Sequence, residues 1–251
     1  MRGTTKLKTI VVTGASSGIG RSLVEHLAVD EGYHVLALAR RIDRMEEEFA
    51  EVDSVTPRKL DLSDLEGTRE TIRGLIDEFG PIPYLVNNAG VNVGGPLTEL
   101  DPEDVLYSMR VNALAPFVLM QELVPRMADT GFGRVVNVTS GAPIDCPSGT
   151  VPYTSSKAAL NAMTVITAKE YASTNVKINL MSPGPCETEM APNGPLDPAE
   201  CHPTADYLLT LPEGGPTGGF FWLGYEIPLF PDLGDIRWEQ GQGSDALQEV
   251  L

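Results

Sequence analysis

At 251 residues, the chain is long enough for one α/β domain with a substantial core. Its 35 Asp plus Glu outnumber 18 Lys plus Arg, and the formal net charge of −17 repels phosphate backbones and anionic membranes, which argues against nucleic acid or lipid partners. No apolar run approaches the ~20 residues that span a bilayer, residues 1–8 lack a signal-peptide core, and Cys146, Cys186 and Cys201 show neither a disulfide framework nor metal-ligand spacing, so a cytoplasmic protein with free thiols and no metal is expected.

Lys8 to Thr13 is a short β-branched run, the pattern of a strand buried on both faces. It runs into Gly14-Ala15-Ser16-Ser17-Gly18-Ile19-Gly20, then into a helical pattern with Leu23, Val24, Leu27 and Ala28 on one side. Strand, glycine bend and helix in that order form the setting in which a bend binds a dinucleotide. The glycines let the backbone approach a pyrophosphate, whose charge meets the N–H groups and positive dipole end of the helix. The spacing of Thr13-Gly14, Gly18 and Gly20 differs from a GxGxxG turn and resembles the TGxxxGxG motif of the short-chain dehydrogenase/reductase family. Under that resemblance Gly14, Ser16, Ser17, Gly18, Ile19 and Gly20 bind the cofactor.

Tyr33 to Ala39 reads as the second strand. Its end, ~20 residues past the glycines, is where an acidic residue would hold the ribose 2′-hydroxyl of NAD. Ala39, Arg40 and Arg41 stand there instead. Guanidinium groups suit a 2′-phosphate, so NADP(H) is expected over NAD(H). A short exposed helix is predicted from Met45 to Ala50, without a function. Arg58 to Ser63 reads as the third strand and its exit. In the resembled family an Asp here accepts a hydrogen bond from the adenine amino group. Asp61 fits that role, with Leu62 beside it, and Ser63 or Asp64 is left to cap the next helix. That helix runs to about Phe79 and stops at Gly80-Pro81.

Pro83 to Asn87 is the fourth strand, followed by Asn88, Ala89 and Gly90. The family carries this NNAG string to steady the central sheet and line the ribose side of the cofactor. Asp101-Pro102 opens a long helix carrying Met109, Val111, Asn112 and Leu114, with a kink expected near Pro116. Asn112 is a polar group at a packed position, suited to satisfying backbone groups. In the family an Asn here holds a water in a proton relay that reaches the Lys.

Arg134 to Ser140 reads as a buried strand with Ser140 at its C-terminal edge, and residues 142–150 as a loop near the reacting groups. The helix from about Pro152 to Tyr171 carries Tyr153 and Lys157, four apart and so on one face. A free phenol with a pKa near ~10 is a poor acid or base at neutral pH. A cation beside it favours the phenolate and lowers that pKa. The resemblance makes Asn112, Ser140, Tyr153 and Lys157 the catalytic set, with Tyr153 and Lys157 also touching the cofactor.

Lys177 to Met181 is the sixth strand. Pro183-Gly184 and Thr188 match the family's PGxxxT pattern, in which the Thr reaches the nicotinamide carboxamide. Cys186 stands where a branched aliphatic is usual, either as a small buried hydrophobe or as a redox-sensitive thiol. Residues 184–216 suggest a lid with a short helical segment around Ala205 to Leu211. Pro216 to Trp222 should form the last strand. Its Phe220, Phe221 and Trp222 suggest an apolar rim and a hydrophobic or aromatic ketone, and similar endings occur in carbonyl-reductase-like members. Residues 1–230 are expected to form one domain, and 231–251 a loosely held acidic tail.

Strands alternating with helices imply an α/β, doubly wound Rossmann-type fold, expected with seven parallel strands and ligands at their carboxyl ends. The resemblance, over roughly residues 8–222, implies NADP(H)-dependent reduction of a ketone or aldehyde to an alcohol, in a homodimer or homotetramer. Two rivals stay open. One is a dinucleotide-binding sensor without turnover; the other is a sugar-nucleotide epimerase or dehydratase using the same Tyr–Lys pair.

Overall fold

The computed structural model describes residues 8–29 and 32–229, and the expected tail at 231–251 lies outside them. One sheet runs in the order β3-β2-β1-β4-β5-β6-β7-β8. Its strands are β1 (Lys8–Thr13), β2 (Tyr33–Ala39), β3 (Val55–Lys59), β4 (Tyr84–Asn87), β5 (Gly133–Val138), β6 (Val176–Ser182), β7 (Phe220–Trp222) and β8 (Tyr225–Ile227). The first seven are parallel, and β8 returns antiparallel to β7. The order reverses between β1 and β4, which opens a crevice at the carboxyl edge, where doubly wound sheets bind their ligands.

Helices α1 (Gly18–Val29), α2 (Ile42–Glu48), α3 (Leu65–Phe79), α4 (Pro102–Met109), α5 (Ala115–Asp129), α6 (Ala142–Asp145), α7 (Val151–Glu170) and α8 (His202–Leu209) cover both faces. The alternation of β1 divides the core. Ile10 and Val12 pack in the layer of Leu23, Val24 and Leu27 from α1 and Leu208 from α8. Val11 packs in the layer of Ile72 from α3 and Leu119 and Leu123 from α5. All of these are at most 1% exposed, and each such side chain contributes roughly 1.5–3 kcal/mol by leaving water. No helix among the described residues is long and apolar enough to cross a membrane.

Several elements depart from expectation. The stretch at 142–150 read as a loop opens with the short helix α6, with Pro143 in its first turn. The sheet has an eighth strand, because Leu223 (φ 45°) and Gly224 (φ 83°) make a two-residue hairpin turn after β7. β3 spans Val55–Lys59 and keeps Pro57, which an edge strand tolerates. The long helix after Asp101 is interrupted by a π-turn at Arg110–Leu114, in which the Ala115 N–H bonds the Arg110 carbonyl. Finally, α2 begins at Ile42 and buries Met45, so it is not wholly exposed.

Candidate active site

The glycine bend leaves β1 under tight steric control. Gly14 has φ +71°, and a Cβ on Gly20 would lie 2.3 Å from the Gly14 carbonyl oxygen. Only bare backbone fits, and that backbone opens α1, whose first N–H groups are free for an anion. Thr13 ties the bend to the next strand. Its Oγ1 accepts from the Asn88 and Ala89 N–H groups at 3.0 and 3.1 Å, while its carbonyl accepts from Asn88 Nδ2 at 2.9 Å.

A cleft of about 970 Å³ opens above this edge. All the sequence-predicted cofactor residues line it, from Gly14, Ser16, Ser17, Gly18, Ile19 and Gly20 through Arg40, Arg41, Asp61, Leu62, Asn88, Ala89 and Gly90 to Pro183, Gly184 and Thr188. Ser140, Tyr153 and Lys157 line it as well. Asn112 does not. It lies fully buried behind Gly90, where its Oδ1 accepts from the Val91 N–H (2.8 Å) and its Nδ2 donates to the Val91 carbonyl and Ser156 Oγ (2.9 Å each). A Cβ on Gly90 would stand 3.3 Å from Asn112 Oδ1 and 3.6 Å from Lys157 Nζ, so the missing side chain lets both groups approach the cleft wall.

β5 stops at Val138, which puts Ser140 two residues beyond the strand; its Oγ accepts from the Ala142 N–H at 3.1 Å. Tyr153 and Lys157 occupy the first two turns of α7. Lys157 is 4% exposed and donates from Nζ to the Val138 carbonyl at 2.8 Å. Burial pushes its ammonium down to about 8. Burial also pushes the Tyr153 phenol up, against a smaller downward pull from its hydrogen bond with Ser140. The lowering of Tyr153 expected from Lys157 is therefore not what this arrangement produces. Desolvation, invisible in the spacing, is the larger influence.

Asp61 accepts from the Ser63 N–H (2.9 Å) and hydroxyl (2.8 Å), which hold its carboxyl below the ordinary range; Asp64 caps α3 through the Gly67 N–H. Cys186 is 2% exposed, with its thiol 3.2 Å from the Pro183 carbonyl, and burial, then Asp197 and Glu200, pushes it up. That environment suits the buried hydrophobe rather than the reactive thiol. Phe220 and Phe221 are both buried core, and Phe220, Trp222, Tyr107, Val111 and Ile144 are among the apolar side chains that line the cleft.

Sequence reasoning missed Glu189, which lines the cleft and pairs with Arg41, and Ser156, which holds Asn112. Neither carries a local signal, since each acts on a partner distant in the chain.

The family model described as short chain dehydrogenase matches residues 8–197. The chain belongs to the short-chain dehydrogenase/reductase family. Within this family of oxidoreductases, it is 34% identical over 190 residues to an NADP-dependent 3-hydroxy acid dehydrogenase of Schizosaccharomyces pombe, covering 73% of each chain. A 3-oxoacyl-[acyl-carrier-protein] reductase of Thermotoga maritima is 33% identical over 187 residues, covering 73% of this chain and 76% of its own. Among solved structures, an actinorhodin polyketide ketoreductase variant with NADPH superposes with a TM-score of 0.81 at 25% identity, covering 88% of this chain and 97% of that one.

Proposed function

We propose that this short-chain dehydrogenase/reductase uses NADPH to reduce a ketone with an apolar body, or an aldehyde, to the alcohol. The observation that carries this reading is that Ser140, Tyr153 and Lys157 line the same cleft as the glycine bend and the two arginines. Two relatives named for NADP or NADPH support the choice of cofactor.

The bend residues Gly14, Ser16, Ser17, Gly18, Ile19 and Gly20 would hold the pyrophosphate, Arg40 and Arg41 the 2′-phosphate, and Asp61 with Leu62 the adenine. Asn88, Ala89 and Gly90 would line the ribose, and Pro183, Gly184 and Thr188 the nicotinamide. NADPH held there supplies the hydride that reduces the carbonyl carbon. Ser140 donates a hydrogen bond to the carbonyl oxygen. Tyr153 gives its proton to the developing alkoxide. A phenol raised by burial starts protonated at neutral pH, which suits an acid in the reductive direction. Lys157 keeps a cation beside the ring, and Asn112 completes the relay behind it by fixing Val91 and Ser156.

The test is loss of NADPH absorbance with a panel of ketones and aldehydes, beside product analysis. Tyr153→Phe should lower kcat/KM by about a hundredfold to ten-thousandfold, the worth of positioned acid–base catalysis, while NADPH still binds. NADPH binding without consumption across the panel would favour the sensor reading. A product with no net redox change would favour the epimerase.

A further inference from the structure

Arg41, assigned above to the 2′-phosphate, is engaged here by the lid. Its Nη1 donates to Glu189 Oε2 at 2.8 Å, and Arg44 Nη1 donates to Oε1 of the same carboxylate at 2.6 Å. The rest of the Arg41 fork is fixed on the glycine bend, through Nε to Ser16 Oγ (3.2 Å) and Nη2 to Ser17 Oγ (2.6 Å). One guanidinium thus joins the bend to the lid.

Glu189 sits at the tip of a tight turn. Thr188 and Ala191 exchange backbone hydrogen bonds of 3.1 and 3.0 Å across it. The Thr188 side chain packs on the bend, its Cγ2 lying 2.9 Å from where a Cβ on Gly18 would be. The lid therefore touches the cofactor floor at two adjacent residues, one apolar contact and one ionic. The ionic contact shares its donors with the phosphate. A guanidinium fork binds carboxylate and phosphate through the same N–H groups, so the Arg41 Nη1 proton aimed at Glu189 serves only one of them. Arg41, Arg44 and Glu189 are each about half exposed, and pairs in that setting are weak enough to exchange.

We propose that Glu189 is a stand-in anion, a specificity-determining latch that competes with the cofactor's 2′-phosphate for Arg41 and Arg44, so that NADP(H), unlike NAD(H), detaches the lid tip from the bend. This rests on the arginine reading of cofactor choice given above. The latch makes NADP(H) binding weaker than the arginines alone would allow. In exchange, the position of Thr188 becomes responsive to the 2′-phosphate.

The experiment measures dissociation constants of NADPH, NADH, 2′,5′-ADP and 5′-AMP by calorimetry on the full chain, for wild type, Glu189→Gln and Arg41→Ala. Backbone hydrogen exchange at Thr188 and Ala191 is followed alongside. Glu189→Gln should tighten NADPH and 2′,5′-ADP by about twofold to fivefold, the worth of an exposed pair, with a change of under about twofold for NADH and 5′-AMP. In wild type, NADPH and not NADH should speed exchange at the two turn amides. Unchanged or weaker NADPH binding by Glu189→Gln overturns the latch. If Arg41→Ala weakens NADPH while Glu189→Gln changes nothing, the latch alone fails. If Arg41→Ala binds NADPH as wild type does, the arginine reading fails and the latch with it.

Discussion

Lys157 shows how a single residue sets stability against chemistry. Burial holds its ammonium at about 8 instead of the ordinary 10.5, with the Val138 carbonyl 2.8 Å away as compensation. The shift corresponds to about 3 kcal/mol of unfavourable free energy at neutral pH, from ~1.36 kcal/mol per unit. Lys157→Met keeps the stem and removes the charge, but leaves the Val138 carbonyl without this donor at a cost of about 1 kcal/mol. The variant should therefore be about 2 kcal/mol more stable than wild type at pH 7 and catalytically inactive. The pH dependence has a definite sign. Between about 8 and 10.5 the unfolded chain holds the Lys157 proton and the folded chain has lost it, so wild-type stability rises with pH there, and the variant lacks that rise. Its advantage should be largest below pH 8 and shrink toward 10.5, as read from urea melts at both ends of the window. A variant less stable than wild type at pH 7 would show that the Val138 contact outweighs burial.

At the scale of elements, the interruption between α4 and α5 positions Asn112. Pro116 has no N–H to return to the Asn112 carbonyl, and the ladder just before it switches to π spacing, with Ala115 N–H bonded to Arg110. The π-turn leaves Asn112 facing Val91 and Ser156. Pro116→Ala restores the missing donor and lets the helix become regular, which rotates Asn112 away from Val91. The expected outcome is a fall of at least about tenfold in kcat with KM little changed, as removing one contribution to acid–base catalysis does, and faster hydrogen exchange at the Val91 amide. Wild-type kcat would mean that the Asn112 contacts, not the proline, hold the turn.

The same contrast decides what was legible in the chain. β1 and β2 fall where the apolar runs place them, because a strand buried on both faces needs a continuous run that sequence displays directly. The glycine bend and the Tyr153–Lys157 spacing are local patterns, so they too were readable. The π-turn was not, since Pro116 signals a break without saying how the ladder reroutes. Nor was β8, which depends on Leu223 adopting φ 45° where glycine or asparagine would be usual. Glu189 could not be paired from sequence, its two arginines lying 148 and 145 residues away. The direction of the Tyr153 shift was missed because burial belongs to the assembled cleft rather than to any spacing.

For the molecule as a whole, charge and exposed apolar surface oppose each other. Leu106 of α4, Leu114 of the π-turn and Ile166 of α7 are 52%, 36% and 56% exposed, on helices that pack together beside the sheet. Exposed large apolar side chains on helices that pack together suit an interaction surface. We propose that two copies associate through it, as a homodimer. With −17 on each chain, long-range repulsion resists that association. Raising salt from ~0.01 M to ~0.1 M shrinks the Debye length from ~30 to ~10 Å, which removes most of the repulsion and leaves apolar burial intact. Sedimentation velocity should therefore show the dimer tightening as salt rises, and Leu106→Glu should shift the population to monomer at both salt levels. A dimer that dissociates on adding salt would place the interface on ion pairs elsewhere, and a Leu106→Glu variant as dimeric as wild type would remove this face from the contact.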